Sequence, residues 1–336
     1  MNKKLLLTSA LVGSLAIAGS ADAKTTIYGD LEQTYASSSR DLAANKETGD
    51  EGYGSEANIG MKASKDVDLG TLSYGIKFEG DGNNTFDADE HFLDIKMDAV
   101  TLTLARNSGG MVSLDSKVVP HVGDQNDTMG GRAGGSAFSS GYIDVAGGSY
   151  AGATIEVLGG KASAGYGFGA AGTDSGALAG GESSVHLAYL GKPLDGVSVQ
   201  AGMSETGTAT GTSKMTKYGI AYALDALKVG VDYQDFDDGL VAISSADNQA
   251  LRYGASYNVS DDLSVGVVYS ETQVGQADTT ASSVANLPVD EEITTLTVGY
   301  NLGGLGVKLY VSDIENLAGV KGDDAQVLQF QTKQKF

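Results

Sequence analysis

The chain has 336 residues, of which 43 are acidic and 22 are basic, so its formal net charge is −21 at neutral pH. This excess of acid argues against binding to nucleic acid, whose phosphates the protein would repel. Because cysteine is absent, disulfides are excluded, and backbone pairing and packing must hold the fold.

The first residues have the composition of a secretory signal peptide. A short basic segment precedes the uncharged, mostly apolar run from Leu5 to Ala18. This run is too short for a permanent transmembrane helix, and Ala21 and Ala23 give the small-x-small pattern that a signal peptidase recognises. We therefore expect residues 1–23 to be a cleaved signal peptide and residues 24–336 to form the mature domain. A retained membrane anchor is the alternative.

After residue 23 no apolar stretch is long enough to cross a bilayer as a helix, and the dominant pattern is alternation. From Leu296 to Leu302, for example, Leu, Val, Tyr and Leu alternate with Thr, Gly and Asn. Segments of this kind start near residues 25, 54, 71, 89, 100, 141, 151, 183, 196, 215, 227, 250, 263, 292, 306 and 326. Only helices and closed sheets satisfy every backbone group in lipid. The alternating segments therefore predict an all-β fold, a transmembrane antiparallel β-barrel of about 16 strands. A soluble β-solenoid or sandwich would need a fixed repeat or strands buried on both faces.

The connectors alternate between short and long. Asp98-Ala99 and Gly303-Gly304 have the composition of tight turns, whereas residues 36–51, 170–182 and 274–290 are long and rich in small and polar side chains. This asymmetry is typical of outer-membrane barrels, which have short periplasmic turns and long outer loops. A closed barrel of this size leaves an aqueous channel rather than a packed core.

Three stretches and the chain end resemble the Gram-negative general porin family. Residues 27–31 (Ile-Tyr-Gly-Asp-Leu) are similar to its first strand, residues 60–79 to its second and third, and residues 92–107 to its fourth and fifth. Phe336 matches the terminal aromatic residue of most such barrels. The resemblance implies a homotrimer in the outer membrane, in contact with lipid and lipopolysaccharide, that passes small hydrophilic solutes and ions. It also implies that the third loop folds inward to form the constriction.

A diffusion pore needs a polar lumen and a narrow ring of charges that sorts ions. The longest connector, residues 108–140, lies where the family has its inward loop and carries aspartates. Period-two parity directs three lysines inward from the facing strands, and the family position adds an arginine. The predicted constriction residues are Lys62, Lys77, Lys96, Arg106, Asp115, Asp124 and Asp127. For each lysine the alternative is an ion pair with a wall carboxylate such as Glu79. Asn58 stands where the family often has arginine, which predicts a less basic constriction.

The acidic wall positions predict the direction of ion preference. Asp30, Glu32 and Asp232 add negative potential to the lumen, so we expect a diffusion porin with a modest preference for cations. One alternative is a substrate-specific channel, which a line of aromatic residues or arginines along the lumen would indicate. The other is a non-conducting surface barrel or adhesin.

The sequence predicts neither an enzyme nor a built metal centre. The three histidines His91, His121 and His186 show no pairing with a nucleophile. Residues 81–92 begin like a calcium loop, yet Phe86 replaces the turn glycine and Phe92 replaces the closing glutamate. The acidic loops are either only solvated or bind calcium at one of two looser sites, and no other cofactor is expected. The candidate calcium ligands are Asp81, Asp87 and Asp89 at the first site, or Asp124, Asn126 and Asp127 at the second.

Overall fold

The computed structural model describes residues 24–42, 45–46, 50–80, 87–106, 111–112, 118–120, 149–168, 183–207, 212–238, 248–274, 289–316, 321–322 and 324–336. They form one sheet of 17 strands, of which the two-residue strand Asn45–Lys46 only extends the first hairpin. The remaining 16 strands are antiparallel and form a closed barrel. They are β1 (Lys24–Leu42), β2 (Asp50–Val67), β3 (Gly70–Gly80), β4 (Asp87–Met97), β5 (Val100–Arg106), β6 (Ser149–Val157), β7 (Gly160–Phe168), β8 (Ser183–Leu194), β9 (Val197–Gly207), β10 (Thr212–Leu224), β11 (Leu227–Asp238), β12 (Asn248–Asn258), β13 (Leu263–Val274), β14 (Glu291–Leu302), β15 (Leu305–Glu315) and β16 (Asp324–Lys335).

Pairing between β1 and β16 closes the sheet. The register runs from Asp30 opposite Lys335 to Asp41 opposite Asp324. Beyond it, the backbone groups of Gly29 and Phe336 exchange two hydrogen bonds of 3.0 Å. Each barrel strand therefore has a neighbour on both sides, so the sheet has no open edge. The prediction of a closed antiparallel barrel with about 16 strands is confirmed.

The predicted strand starts agree with the structure to within a few residues except in one region. Strands expected near residues 141 and 151 are instead β6 and β7, which start at Ser149 and Gly160; residues 141–148 lie outside the described part. The turn between them has φ 49° at Leu158 and φ 70° at Gly159. Two left-handed residues fit a tight hairpin, but leucine rarely adopts this conformation and so gave no turn signal.

The strand ends differ in the length of their connectors. At one end, here called the turn end, the links are short, and both ends of the described chain lie there. These links are Asp68-Leu69, Asp98-Ala99, Leu158-Gly159, Asp195-Gly196, Asp225-Ala226, residues 259–262 and Gly303-Gly304. The opposite, loop end carries the longer connectors, including the 42 residues from 107 to 148 between β5 and β6. The short-turn, long-loop asymmetry expected from the sequence is therefore present.

Side chains alternate between an exposed apolar outer face and a polar inner face. Outward residues such as Leu31 and Leu296 are 45% and 56% exposed, whereas inward Glu32 and Thr34 are 1% and 0% exposed. Exposed tyrosines near the strand ends, as in the aromatic girdles of membrane barrels, are Tyr53, Tyr166, Tyr222, Tyr257 and Tyr300, whereas Tyr218 and Tyr253 lie mid-strand. Among the described residues no helix is long and apolar enough to cross a membrane.

The close approach at the seam gives a first test. A Cβ on Gly29 would collide with the carbonyl oxygen of Asn58 and lie 2.6 Å from the ring of Phe336. We expect Gly29→Ala to destabilise the barrel by about 1–3 kcal/mol, because it forces these groups apart. The measurement is the temperature at which the folded band disappears in SDS electrophoresis. Gly207→Ala is the control, since the nearest described atom to its added Cβ would be 3.9 Å away; equal temperatures for both variants would contradict the expectation.

Candidate functional site: the lumen and its third loop

The connector between β5 and β6, here called loop 3, enters the barrel. Its described residues are 111–112 and 118–120, and Val112, Val118 and Val119 are 7%, 0% and 3% exposed. Buried valines on a connector inside a polar lumen must lie against the wall, because water would otherwise reach them. The inward fold of the third loop expected from the family resemblance is therefore present.

Two hydrogen bonds fix the first anchor of loop 3. The backbone N–H of Val112 donates to Oγ of Ser163 on β7 at 2.8 Å. The carbonyl oxygen of Val112 accepts from Nε2 of His186 on β8 at 2.9 Å. The Val112 side chain packs against Ala188 and Met215. Both polar backbone groups of this residue are thus satisfied by the wall, as a buried residue requires.

Inward glycines form the part of the wall on which loop 3 lies, here called the glycine seat. A Cβ on Gly152 or on Gly165 would collide with the Met111 side chain, and a Cβ on Gly219 would collide with Val118. These wall positions are spread over β6, β7 and β10. The missing side chains therefore leave the space that the loop occupies.

The seat continues along β11 and β12. A Cβ on Gly230 would lie 2.7 Å from the carbonyl oxygen of Val118, and one on Gly254 would lie 2.9 Å from that of Pro120. The described residues of loop 3 consequently contact the inner wall at positions spread from β6 to β12. The inward parity of these five glycines is visible in the sequence, but it does not by itself predict that a loop lies on them.

Charged side chains are buried beneath loop 3. Arg252 forms a bidentate ion pair with Asp232, with Nε 2.8 Å from Oδ1 and Nη2 3.1 Å from Oδ2. Their side chains are 7% and 0% exposed, and Lys217 on the neighbouring β10 is 0% exposed. Because buried charges persist only when they are paired, the Arg252–Asp232 pair is held within the wall, two residues along β12 and β11 from the glycines that loop 3 contacts. Asp232, expected to add free negative potential, carries its own counterion.

The wall away from the seat carries two of the predicted lysines together. Lys62 on β2 is exposed and faces inward, and its Nζ lies 4.9 Å from the ring centroid of Tyr28 and 5.9 Å from that of Phe92. Lys77 on β3 is 3.2 Å from both Glu79 and Glu90. An aromatic surface orients the first cation, whereas carboxylates hold the second.

The third predicted lysine is not near the other two along the pore axis. Lys96 is the penultimate residue of β4, beside the turn at Asp98-Ala99, and its Nζ lies 3.2 Å from Glu156. Both side chains are exposed. Lys96 therefore lines the turn end of the lumen.

The remaining predicted site residues are only partly covered. Arg106 is the last residue of β5, paired with His91 and Ser149, and its side chain lies outside the described part. The predicted constriction residues Asp115, Asp124 and Asp127 lie outside the described residues. The candidate calcium ligands Asp81 and Asn126 also lie outside them. Among the described residues, no group of three or more carboxylates or histidines could hold a metal ion.

A hydrogen-bonded network crosses the seam between β16 and β1. Lys333 is 3.3 Å from Asp30 and 3.1 Å from Glu32, so one ammonium group serves two carboxylates. The Gln331 side chain donates to Glu32 and accepts from the Tyr310 hydroxyl at 3.1 Å. The two acids were predicted on the lumen wall, but their cation was not, because Lys333 lies some three hundred positions further along the chain.

A closed barrel in which one long loop lies against a polar inner wall is the architecture of an outer-membrane channel. A family model described as Gram-negative porin matches residues 8–312. The chain belongs to the Gram-negative porin family, and its place is the outer membrane.

Solved structures share this fold at low sequence identity. An outer-membrane protein of Vibrio cholerae, OmpT, is 16% identical with a TM-score of 0.66 over 94% of this chain and 98% of that one. OmpF of Salmonella typhi, solved with daunomycin, is 14% identical with a TM-score of 0.67 over 93% and 98%. An anion-selective porin from Comamonas acidovorans is 15% identical with a TM-score of 0.64 over 94% and 100%. A comparison with curated proteins finds no match.

The glycine seat predicts a change in conductance. Gly219→Ala should push Val118 off the wall towards the pore axis, so we expect a smaller single-channel conductance in planar bilayers. Gly306→Ala is the matched control, because among the described residues a Cβ on this inward glycine would meet only the Lys333 carbonyl, at 3.4 Å. An unchanged conductance for Gly219→Ala would contradict the assigned seat.

The Val112 anchor predicts a change in current noise. Ser163→Ala leaves the buried N–H of Val112 without an acceptor, which costs about 1–3 kcal/mol locally. We expect a more mobile loop and therefore larger open-channel current fluctuations in single-channel records. Ser264→Ala, an inward serine on β13, serves as the comparison; identical noise spectra for the two variants would rule out the anchor.

Proposed function

We propose that the protein is a diffusion porin for small hydrophilic solutes and ions, with a modest preference for cations. The observation that carries this proposal is that the described residues of loop 3 are buried against the inner wall between β6 and β12. A loop fixed on one side narrows a polar lumen without filling it with apolar side chains. Such a lumen sorts solutes by size and charge and needs no catalytic group.

The distribution of acid supports the cation preference. Several inward acids of the wall have basic partners, as with Asp232 and Arg252 or Glu90 and Lys77. The loop end, by contrast, exposes many acids and few bases among the described residues. The exposed acids are Glu51, Glu205, Asp237, Asp290, Asp313, Glu315 and Asp324, and the exposed bases are Lys214 and Lys321. An acidic mouth raises the local concentration of cations before they enter the narrow part.

The proposal is tested in planar bilayers and in liposomes. We expect step-wise conductance, a reversal potential in a salt gradient that reports cation preference, and swelling rates that fall smoothly with solute size. The preference should weaken at high salt, because exposed charges are screened there. Anion preference would remove the cation assignment, uptake of a single solute would indicate a specific channel, and absence of conductance would indicate a surface barrel.

A channel without catalytic activity is also part of the proposal. His186 is engaged with the carbonyl oxygen of Val112 under loop 3, which is a structural task. His91 has outward parity on β4, opposite Ile76 and Arg106. Neither arrangement offers a histidine to a nucleophile inside the lumen.

We further propose export with cleavage after Ala23, followed by assembly as a homotrimer in contact with lipopolysaccharide. The first barrel strand begins at Lys24, directly after the expected cleavage point. Sequencing of the mature protein should start at Lys24, and cross-linking of the unboiled protein should give a ladder that ends at three copies. A retained N-terminus or a ladder ending at one copy would contradict the respective part.

A further inference from the structure

Two lysines at the turn end of the lumen wall face each other without a counterion. Lys192 lies near the end of β8, and Lys228 is the second residue of β11, partly buried on the inner face. Within the part of the chain that the structure describes, neither side chain forms an ion pair or a hydrogen bond. The charge that acts on Lys228 is that of Lys192, so the two ammonium groups repel each other.

An irregularity in β8 directs Lys192 towards this wall. The register between β8 and β9 shifts here, so that Lys192 and Pro193 together are opposite Ser198. Two residues opposite one is the arrangement of a β-bulge, which commonly re-aims a side chain. Leu190, two residues earlier, packs inside the barrel against the cluster of Val112. Lys192 therefore has the same inward parity and lies beside Ser198.

Small side chains occupy the inner face between the two lysines. The inward residues of the intervening strands are Ser198 on β9 and Ala221 and Ala223 on β10, and Ala223 is directly opposite Lys228. On the other side of Lys228, Ser256 of β12 is its direct partner in the register. The wall between the two ammonium groups is therefore low, and two hydroxyl groups line it as possible hydrogen-bond donors.

The inward acids of the neighbouring strands are held by other bases. Asp232, further along β11, pairs with Arg252. Glu156 on β6 pairs with Lys96 and is also opposite Lys161 of β7, which itself has no ion pair among the described residues. Two further acids lie in the adjoining exposed turns, Asp195 and Asp225. The inner face at this end therefore carries an excess of positive charge, in contrast to the acidic loop end.

We propose that Lys192 and Lys228, flanked by the hydroxyl groups of Ser198 and Ser256, form a binding site for a small phosphate-bearing solute. An ammonium group binds phosphate as a point charge. A dianion placed between two ammonium groups that repel each other replaces this repulsion with two attractions. The role of the site in permeation rests on the proposed function, because the solute reaches it through the pore.

The first test measures binding without conduction. An acetylating reagent labels accessible lysines of the folded protein in detergent, and mass spectrometry of peptides gives the rate at each lysine. With sodium phosphate in place of sodium chloride at equal ionic strength and pH, we expect slower labelling of Lys192 and Lys228. The rates should fall about tenfold when phosphate is at ten times its dissociation constant. Lys65, outward on β2 at the turn end, should react equally fast in both salts.

A matched pair of variants tests whether the two lysines form one site. Lys228→Gln should abolish the protection of Lys192 by phosphate, although Lys192 itself is unchanged. Lys65→Gln removes an equal charge from the outer face of the same end of the barrel. It should leave the protection of both Lys192 and Lys228 intact.

The second test measures ion preference in planar bilayers. Two ammonium groups in the lumen oppose the passage of cations, and a bound dianion cancels this effect. Millimolar phosphate on both sides of a potassium chloride gradient should therefore shift the reversal potential of the wild type towards stronger cation preference. Lys228→Gln should show stronger cation preference in chloride alone and no further shift with phosphate. An unchanged potential in the wild type would contradict a site on the route of the ions.

The outcomes separate the two proposals. Equal labelling rates of Lys192 and Lys228 in phosphate and in chloride would overturn the inference and leave the porin proposal standing. Equal loss of protection in Lys228→Gln and Lys65→Gln would mean a diffuse attraction of anions to the turn end, and it would also overturn the inference. Protection by phosphate without any conductance would leave the site intact and reject the porin proposal instead.

Discussion

The fold depends on closure of the hydrogen-bonded ring between β1 and β16. A bilayer offers no water to unpaired backbone groups, so an open edge would leave a row of costly N–H and C=O groups in lipid. Closure also assembles the chemistry of the lumen. It brings Gln331 to Glu32 across 299 positions of sequence, and Lys333 to both Asp30 and Glu32. Backbone pairing at the seam therefore fixes which charges meet inside.

The inner wall has two parts with different tasks. From β6 to β12 it presents glycines, the anchor groups Ser163 and His186, and buried charges beneath loop 3. Around the seam it presents a network of carboxylates, amides and lysines. The first part positions the loop, whereas the second presents partly buried charged groups such as Asp30 and Lys333 to the lumen.

The sequence allowed the fold to be predicted because lipid exposure imposes a period of two on every strand. The same parity correctly placed Lys62, Lys77 and Lys96 on the inner face. It did not give their positions along the pore axis by itself, although the turn at Asp98-Ala99 next to Lys96 could have. The pairs of Asp232 with Arg252 and of Glu32 with Lys333 depend on register between separate strands, which periodicity does not contain.

The glycines show why loop placement is harder to predict than strand placement. An inward glycine such as Gly306 at the turn end has room for a side chain, whereas inward Gly219 has none because Val118 lies on it. In the sequence, Gly306 and Gly219 cannot be distinguished, because each is a small residue on a polar face. Only the path of the loop distinguishes them, and that path depends on contacts with strands far along the chain. A run of inward glycines on adjacent strands, at matching register, is the feature that identifies a wall occupied by a loop.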